Sequence, residues 1–397
     1  MAKYPSVFLR AGEDRRLRQG HPWAFSNEIL MNPETKAIAP GSPVILRTAG
    51  GDALGIATFN PHSLIGARLV SRDGTALLDQ ALLAARFSAA LALRARLYGG
   101  VPHYRLVHAE ADGLPGLIVD RYGDTVVVQA NTAGMHLLSD DIVAALESVL
   151  APAAILFKND SPSRKLEGLE TESRIARGSI EGPIDVIENG ARFVCDPAGG
   201  GQKTGWFFDQ RDNRAMVASF AHGARVLDVF SYAGGFGVLA AHQGAADVTM
   251  LDRSQAALDL AVQAARLNQV EARCRVVKGE AFDELERLAA AKERYDIVIA
   301  DPPAFVKSRK DEKVGAQGYR KLARQAATLV APGGLLFIAS CSHLMPAPLF
   351  AEQVRRGLHD AHRGGRILRV TGAGMDHPVH PSLPESAYLK GLLLQVD

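Results

Sequence analysis

Cysteine is scarce, with three in 397 residues at positions 195, 274 and 341 and no C-x-x-C pair. That spacing excludes a disulfide framework and indicates no zinc site, so each thiol is judged alone and no metal is expected. Long apolar runs are missing too. None approaches the roughly 18 residues of a membrane span, and the N-terminus lacks the apolar centre of a signal peptide, so a cytoplasmic protein with no membrane partner is expected. Neither sign of charge prevails: 45 Lys and Arg face 43 Asp and Glu, for a formal net charge of +2 and a pI near 8.4. A balance this even does not by itself reveal a nucleic-acid partner. Internal repeats and low-complexity tracts are not visible. What remains is a globular composition, 47% hydrophobic and 22% charged, in a chain long enough for two or three domains.

The rhythm of the chain changes twice. Within residues 1–75, short alternating runs at Val7 to Arg10, Pro43 to Thr48, Leu54 to Phe59 and Ile65 to Ser71 are separated by Pro, Gly and Asn clusters, which predicts a small β-barrel. An Ala-, Leu- and Arg-rich helix over 79–97 follows and is broken at Gly99-Gly100. Residues 76–190 then read as a compact α+β domain, with strands at Tyr104 to His108, Leu117 to Asp120, Thr125 to Ala130 and Ala154 to Phe157 and a helix from Ser139 to Leu150. Asp112-Gly113 within it reads as a turn. Residues 191–397 form the last domain. There, strands at 225–229, 247–251, 273–277, 295–300 and 335–340 alternate with helices near 235–243, 254–268, 281–291, 316–331 and 346–362. This is the pattern of a doubly wound parallel sheet, which Arg366 to Thr371 and Tyr388 to Val396 bring to about seven strands, the last antiparallel.

Ligands of such sheets bind outside the carboxyl ends of the strands, and that is where the chemistry-bearing residues fall. Ser231-Tyr232-Ala233-Gly234-Gly-Phe-Gly237 joins a strand ending near Asp228 to a helix, and its glycines allow a tight turn and close approach to a ligand. It lacks the G-x-G-x-x-G spacing of a dinucleotide fingerprint. The next strand ends at Asp252, where a carboxylate can accept both ribose hydroxyls of a nucleoside. The third ends at Lys278-Gly279-Glu280, where Glu280 can accept from an adenine amino group with Phe282 beside it. The fourth ends in Asp301-Pro-Pro-Ala-Phe305 and the fifth in Ser340-Cys341-Ser342.

With these residues in place, the chain resembles the class I S-adenosylmethionine-dependent methyltransferases over roughly residues 200–397. The run Asp228-x-Phe-x-x-x-Gly234-x-Phe-Gly237 is similar to the cofactor loop of RNA methyltransferases. Gln202-Lys-Thr-Gly-Trp-Phe-Phe-Asp-Gln-Arg-Asp-Asn-Arg214 resembles the lead-in of the large-subunit ribosomal RNA methyltransferase I family of cytosine-5 enzymes, where it packs over the cofactor. Gly20-His-Pro-Trp-Ala-Phe25 in the N-terminal barrel resembles that family's PUA domain, an RNA-binding module. The resemblance spans all three domains. It implies an α/β fold with a Rossmann-like methyltransferase domain of about seven strands, preceded by a PUA-like barrel and an α+β middle domain. It also implies S-adenosyl-L-methionine as cofactor, held by Gln210, Arg211, Asp228, Ser231, Tyr232, Ala233, Gly234, Gly237, Asp252, Glu280 and Asp301. The expected partners are RNA, large-subunit ribosomal RNA in the first place, and a second copy of the chain in a homodimer.

Carbon 5 of a pyrimidine is a poor nucleophile, and its methylation needs a thiolate added at carbon 6. Cys341 is the candidate thiolate, with the cofactor cation, Lys307 and Arg309 to favour its ionised form. Unpaired cysteines at strand ends are also common packing residues, which is how Cys195 and Cys274 read. Asp301 would hydrogen-bond the flipped base at ring nitrogen 3, as the resemblance implies, while Pro302 and Pro303 stiffen the loop. RNA enzymes with Asp-x-Pro-Cys in this loop use that cysteine in product release, but here Ala304 takes its place. Another base must therefore remove the carbon 5 proton; the candidates are Glu385, His377 and His380. In the barrel, nine Lys or Arg face six Asp or Glu, and Arg10, Arg15, Arg16 and Arg18 cluster near Trp23. They can grip RNA phosphates or form a solvated face neutralised by Glu13 and Asp14.

Other readings stay open. Asp-Pro-Pro-Ala-Phe also resembles the loop of exocyclic-amine methyltransferases, in which Phe305 would stack on the base and Cys341 would be idle. A non-catalytic RNA-binding or ribosome-assembly protein, or an NAD-dependent oxidoreductase, would use the same fold class differently.

Overall fold

A computed structural model describes residues 4–199, 204–306 and 308–397. They group into two compact units. The first lies within Met1–Ile184, Asp196–Trp206 and Met375–Pro384, and the second within Asp185–Cys195, Phe207–Gly374 and Glu385–Asp397.

The first unit carries two five-stranded sheets. In one, β1 (Ser6–Phe8), β2 (Trp23–Ala24), β3 (Pro43–Arg47), β4 (Ala53–Phe59) and β5 (Ala67–Ser71) run in the order β1-β3-β4-β5-β2. A bridge between Leu9 and Ile29, with Leu30 N–H donating to the Phe8 carbonyl, ties one edge of this sheet to the chain just beyond the other and closes the barrel. Alternate residues of β3 turn inward, so that Val44 and Leu46 join Val7, Leu17, Phe59 and Leu69 in its core. The strand missed by sequence, β2, is too short to show a period.

The second sheet consists of β6 (His103–His108), β7 (Leu117–Tyr122), β8 (Thr125–Ala130), β9 (Ala154–Asn159) and β10 (Glu172–Arg177), in the order β10-β9-β8-β7-β6. Helix Gln80–Tyr98 starts where the Asp79 carboxylate accepts from Leu82 N–H and stops at Gly99, whose φ of 60° suits a left-handed cap. Its inward residues Leu83 and Phe87 share a core with Val126, Val128, Ile142 and Phe157. Strand β10 was not expected, because it is a polar edge strand rich in arginine and lacks apolar alternation. Around the expected turn, Ala109–Asp112 forms one short 3-10 turn closed by Gly113, while the fully buried Arg94 donates to both Asp112 oxygens at 2.6 and 2.8 Å.

The second unit begins with a ribbon of β11 (Ile184–Glu188) and β12 (Ala191–Cys195) and is built on a seven-stranded sheet. Strands β13 (Arg225–Val229), β14 (Asp247–Asp252), β15 (Cys274–Lys278), β16 (Tyr295–Ala300), β17 (Val330–Ser340), β18 (Gly365–Thr371) and β19 (Lys390–Val396) take the order β15-β14-β13-β16-β17-β19-β18. The first five in this order are parallel, and β19 inserts antiparallel between β17 and β18. Strand β17 starts earlier than the expected residue 335 because its Pro332-Gly-Gly stretch is absorbed as a register shift against β16. The buried runs Val226–Val229, interrupted only by Asp228, and Ile297–Ala300 have the apolar character of strands covered on both faces. Among the described residues, no helix is long and apolar enough to cross a membrane.

Candidate active site

Five parallel strands present their carboxyl ends along one edge of the seven-stranded sheet, with Val229 aligned to Leu251 and Ala300, and Asp252 to Lys278. On the β13–β15 side the backbone turns sharply. Phe230 and Tyr232 adopt φ of 63° and 48°, values unusual for residues with a Cβ and commonest where a loop is clamped for function. Gly234 follows at φ 78° and opens helix Gly235–His242. At Gly237 an added Cβ would lie 2.6 Å from Met250 Cγ and 3.1 Å from Asp228 Oδ2, so glycine is required for the close approach.

Carboxylates hold this loop through backbone donors. Asp228 is buried and its Oδ2 accepts from Gly237 N–H at 2.8 Å. Burial pushes the Asp228 carboxyl up to about 7, opposed by that hydrogen bond and helped by the nearby charge of Asp301. Half-buried Asp252 accepts from Tyr232 N–H at 3.0 Å and from Ser254 N–H at 2.8 Å, one on each oxygen. Ser231 and Ala233 are buried in the same turn, and the Ser231 Oγ has no hydrogen-bond partner among the described residues. Glu280 is exposed at the start of helix Ala281–Ala290, one strand further out.

The β16–β17 side is built from side chains. Asp301 is half-buried, and its N–H donates to the Val229 carbonyl at 3.4 Å, which joins its loop to the cofactor-side strand. Cys341, half-buried just past β17, places its Sγ 3.9 Å from the Pro302 carbonyl, so thiol and Asp301 loop meet. A buried hydroxyl cluster supports them. Ser340 Oγ donates to Tyr319 Oη at 2.8 Å, Tyr319 Oη lies 2.9 Å from Ser342 Oγ, and Ser342 Oγ accepts from Val306 N–H at 3.2 Å. From β19, Lys390 Nζ donates to the Ser342 carbonyl at 2.6 Å. Phe305 is partly buried and packs with its ring 4.8 Å from Tyr319 and 6.1 Å from Phe282.

The remaining expected residues are described by their own contacts. Gln210 is buried and accepts from Asn213 Nδ2 at 2.6 Å, and the Arg211 guanidinium lies 3.8 Å from Glu188. Arg214, 2.7 Å from the same Glu188, completes an ion-pair cluster under the loop. Glu385 is exposed in the turn Pro384–Ser386 ahead of β19. His377 and His380 fall in the first unit. There His377 Nδ1 is 2.8 Å from Asp376 Oδ1, and His380 Nδ1 accepts from Ser382 N–H at 3.1 Å. Burial holds His380 below the usual imidazole range. Arg309 is exposed, while Lys307, Gln202 and Lys203 lie outside the described residues. In the barrel, Trp23 packs edge-on to His21 and Phe25, and the Arg16 guanidinium sits 4.7 Å over the Phe25 ring.

Sequence reasoning missed Tyr319 and Lys390 as members of the site and named Ser342 only as a neighbour of Cys341. Tyr319 reads as one more apolar-face residue of its helix, and Lys390 comes to the thiol only because β19 pairs with β17, with Ser340 opposite Lys390. A lysine opening a strand that otherwise buries leucines is the one local signal.

Known proteins resemble this chain. A family model described as S-adenosylmethionine-dependent methyltransferase matches residues 172–394, and one described as a PUA-like domain matches residues 7–72. The ribosomal RNA large subunit methyltransferase I of Alteromonas mediterranea is 36% identical over 394 residues, covering 98% of this chain and 98% of its own length. That of Aeromonas hydrophila is 36% identical over 397 residues, covering 98% and 99%. Among solved structures, a Streptococcus mutans protein described as an S-adenosylmethionine-dependent methyltransferase has a TM-score of 0.82 at 23% identity, over 98% of this chain and 100% of that one. Another, described as a methyltransferase complexed with S-adenosylhomocysteine, has a TM-score of 0.83 at 23% identity over the same shares.

Proposed function

The chain belongs to the ribosomal RNA large subunit methyltransferase I family of S-adenosylmethionine-dependent enzymes, and on that premise we propose that it methylates carbon 5 of a cytosine in large-subunit ribosomal RNA through a covalent bond to Cys341. The observation that carries this reading is the meeting of the Cys341 thiol with the Asp301 loop, at 3.9 Å from the Pro302 carbonyl.

The residues fit the cofactor. The orphaned Ser231 hydroxyl faces burial without a partner, and each Asp252 oxygen, engaged by one backbone N–H, retains a lone pair for a ribose hydroxyl. Ser231 to Gly237 would hold the methionine end, Asp252 the ribose and Glu280 the adenine, with Gln210 and Arg211 as further cofactor candidates, while Asp228 braces the loop through Gly237 N–H. When bound, S-adenosylmethionine would supply an electrophilic methyl group, its methyl carbon–sulfur bond breaking to leave neutral S-adenosylhomocysteine.

The chain's own residues do the rest. The Cys341 thiolate forms a bond to carbon 6, and the displaced carbon 5–carbon 6 electron pair flows into the ring as nitrogen 3 takes up a proton through Asp301. Carbon 5, now nucleophilic, takes the methyl group. Glu385 then accepts the carbon 5 proton, nitrogen 3 returns its own, the double bond re-forms and Cys341 leaves as thiolate. The N-terminal barrel grips RNA phosphates, so affinity should fall as salt rises.

The exocyclic-amine alternative needs Phe305 as a stacking surface, and the packing of its ring against Tyr319 and Phe282 counts against it. A substrate RNA carrying 5-fluorocytosine tests the proposal, because fluorine at carbon 5 blocks the proton removal that frees the enzyme. A wild-type adduct that is absent in Cys341→Ala is expected. A methyl group on an exocyclic nitrogen, found by nucleoside mass spectrometry, would overturn it.

A further inference from the structure

We infer that Lys390 is the positioning residue that holds Cys341 as a thiolate, through an ammonium–thiolate pair formed across the β17–β19 seam. The inference rests on the reading of Cys341 as nucleophile and deepens it by naming how the thiol is kept ready.

Lys390 opens β19 opposite Ser340, the last residue of β17, so its side chain reaches the turn that carries Cys341. Its Nζ donates one hydrogen bond, to the Ser342 carbonyl at 2.6 Å. Among the described residues no carboxylate pairs with it. A half-buried ammonium with a single neutral acceptor is costly, and burial accordingly pulls the Lys390 amine below its usual range. The opposing influence is Cys341, whose negative charge raises it again. The same charge pushes up Tyr319, behind the larger effect of burial, and the Tyr319 hydroxyl lies between the two serines that flank Cys341. Of ammonium and phenol, only the ammonium favours the ionised sulfur.

Among the described residues, the other groups packed around the thiol do not supply this charge. From the Asp301 loop comes a carboxylate, which disfavours a thiolate. Helix Glu312–Leu329 contributes the neutral Tyr319. From the thiol's own turn, His343 stacks on Tyr388 at a ring distance of 5.0 Å. Lys390 is thus the cation that the sheet topology delivers to Cys341. In the catalytic cycle it would lower the barrier twice, by keeping sulfur anionic before attack and by stabilising it as the leaving group afterwards.

The test is the pH dependence of iodoacetamide alkylation at Cys341 in the full-length protein without RNA, with peptide mass spectrometry assigning the site. The other thiols interfere little, since Cys195 is fully buried and burial pushes Cys274 up to about 11. Lys390→Gln keeps a donor for the Ser342 carbonyl but removes the charge. It should move the Cys341 midpoint up by about one pH unit or more and slow alkylation at pH 7 roughly tenfold, whereas Lys390→Arg should stay near wild type. His343 and Asp301 are present in every protein, so the difference isolates Lys390. Wild-type thiolate absorbance, with Cys341→Ala subtracted, gives a second measure that needs no Lys390 variant; a midpoint at or above that of a free thiol would overturn the inference. So would an unchanged midpoint in Lys390→Gln. If Lys390→Gln shifts the midpoint while Cys341→Ala still methylates RNA, the pair stands and the covalent mechanism falls. If Cys341→Ala is dead and the midpoint does not move, the reverse holds.

Discussion

The two halves of one strand edge are held together in different ways. On the β13–β15 side, carboxylates accept from backbone N–H groups: Asp228 from Gly237, and Asp252 from Tyr232 and Ser254. On the β16–β17 side, side chains bind side chains, loop carbonyls and the Val306 N–H, through Ser340, Tyr319, Ser342, Lys390 and Cys341. A backbone-built half depends on glycine spacing and tolerates variation in most side chains. A side-chain-built half depends on which strand lies beside which, and each member is individually exposed to substitution. The first suits a cofactor of constant shape, and the second a reacting base whose chemistry is set by individual groups.

If the two halves work separately, single substitutions should separate binding from chemistry. Cys341→Ala should show the largest effect, a loss of methyl transfer of roughly a thousandfold or more, with affinity for S-adenosylhomocysteine within about twofold of wild type because the thiol is not part of the backbone-built half. Single-turnover methylation and calorimetry check the two sides, and retained activity would remove the division. Asp252→Ala is the mirror image. Losing charge-assisted hydrogen bonds of about 1.5–3 kcal/mol should weaken cofactor binding by roughly ten- to a hundredfold, while Cys341 alkylation by iodoacetamide stays unchanged. Equal affinity in variant and wild type would take the ribose away from Asp252.

Tyr319→Phe probes the support beneath the thiol. The hydroxyl bridges Ser340 and Ser342 within a buried cluster, so its removal leaves polar groups short of a partner and should cost about 1–3 kcal/mol of stability in urea denaturation. Turnover should fall several-fold with cofactor affinity unaffected. A variant as stable as wild type would mean that the cluster is not what fixes the Cys341 turn.

The same contrast explains what could be read from the sequence. Strands β13 and β16 and the helix Ser139–Leu150 were legible to the residue because their apolar runs are nearly continuous or strongly periodic. The turn from Ser231 to Gly237 was legible as a strand-to-helix loop because its glycines and strand-end acids are local signals. Lys390 was not, since only the antiparallel insertion of β19 beside β17 brings it to Ser342. Arg94 was hidden for a similar reason, because its buried pairing with Asp112 depends on a tertiary approach that no spacing records. His377 and His380 stand beside Glu385 in sequence as candidate bases, and the histidines group with the first unit and Glu385 with the second.

The smallest expected effect lies in the backbone-built half and depends on pH. Burial puts the Asp228 carboxyl at about 7 in the folded protein, above the ordinary carboxylate range of about 4. A group raised in this way favours folding fully below about pH 4, and that contribution is lost as the pH rises through about 7, because the unfolded chain ionises first. Asp228→Asn keeps an oxygen to accept from Gly237 N–H but cannot ionise. Between pH 5 and pH 8 the melting temperature of wild type should therefore fall relative to that of the variant. The cofactor gives the same site a second readout. S-adenosylmethionine carries a cationic sulfur and S-adenosylhomocysteine does not, so the cation should bind better once Asp228 is ionised. Wild-type affinity for S-adenosylmethionine should rise about threefold from pH 6 to pH 8, by the sign of this linkage, while that for S-adenosylhomocysteine rises less. In Asp228→Asn the two ligands should share one pH profile. If the wild-type ratio of the two affinities is the same at pH 6 and pH 8, Asp228 braces the loop without reaching the reacting sulfur electrostatically, and the backbone-built half is a mould for the cofactor's shape alone.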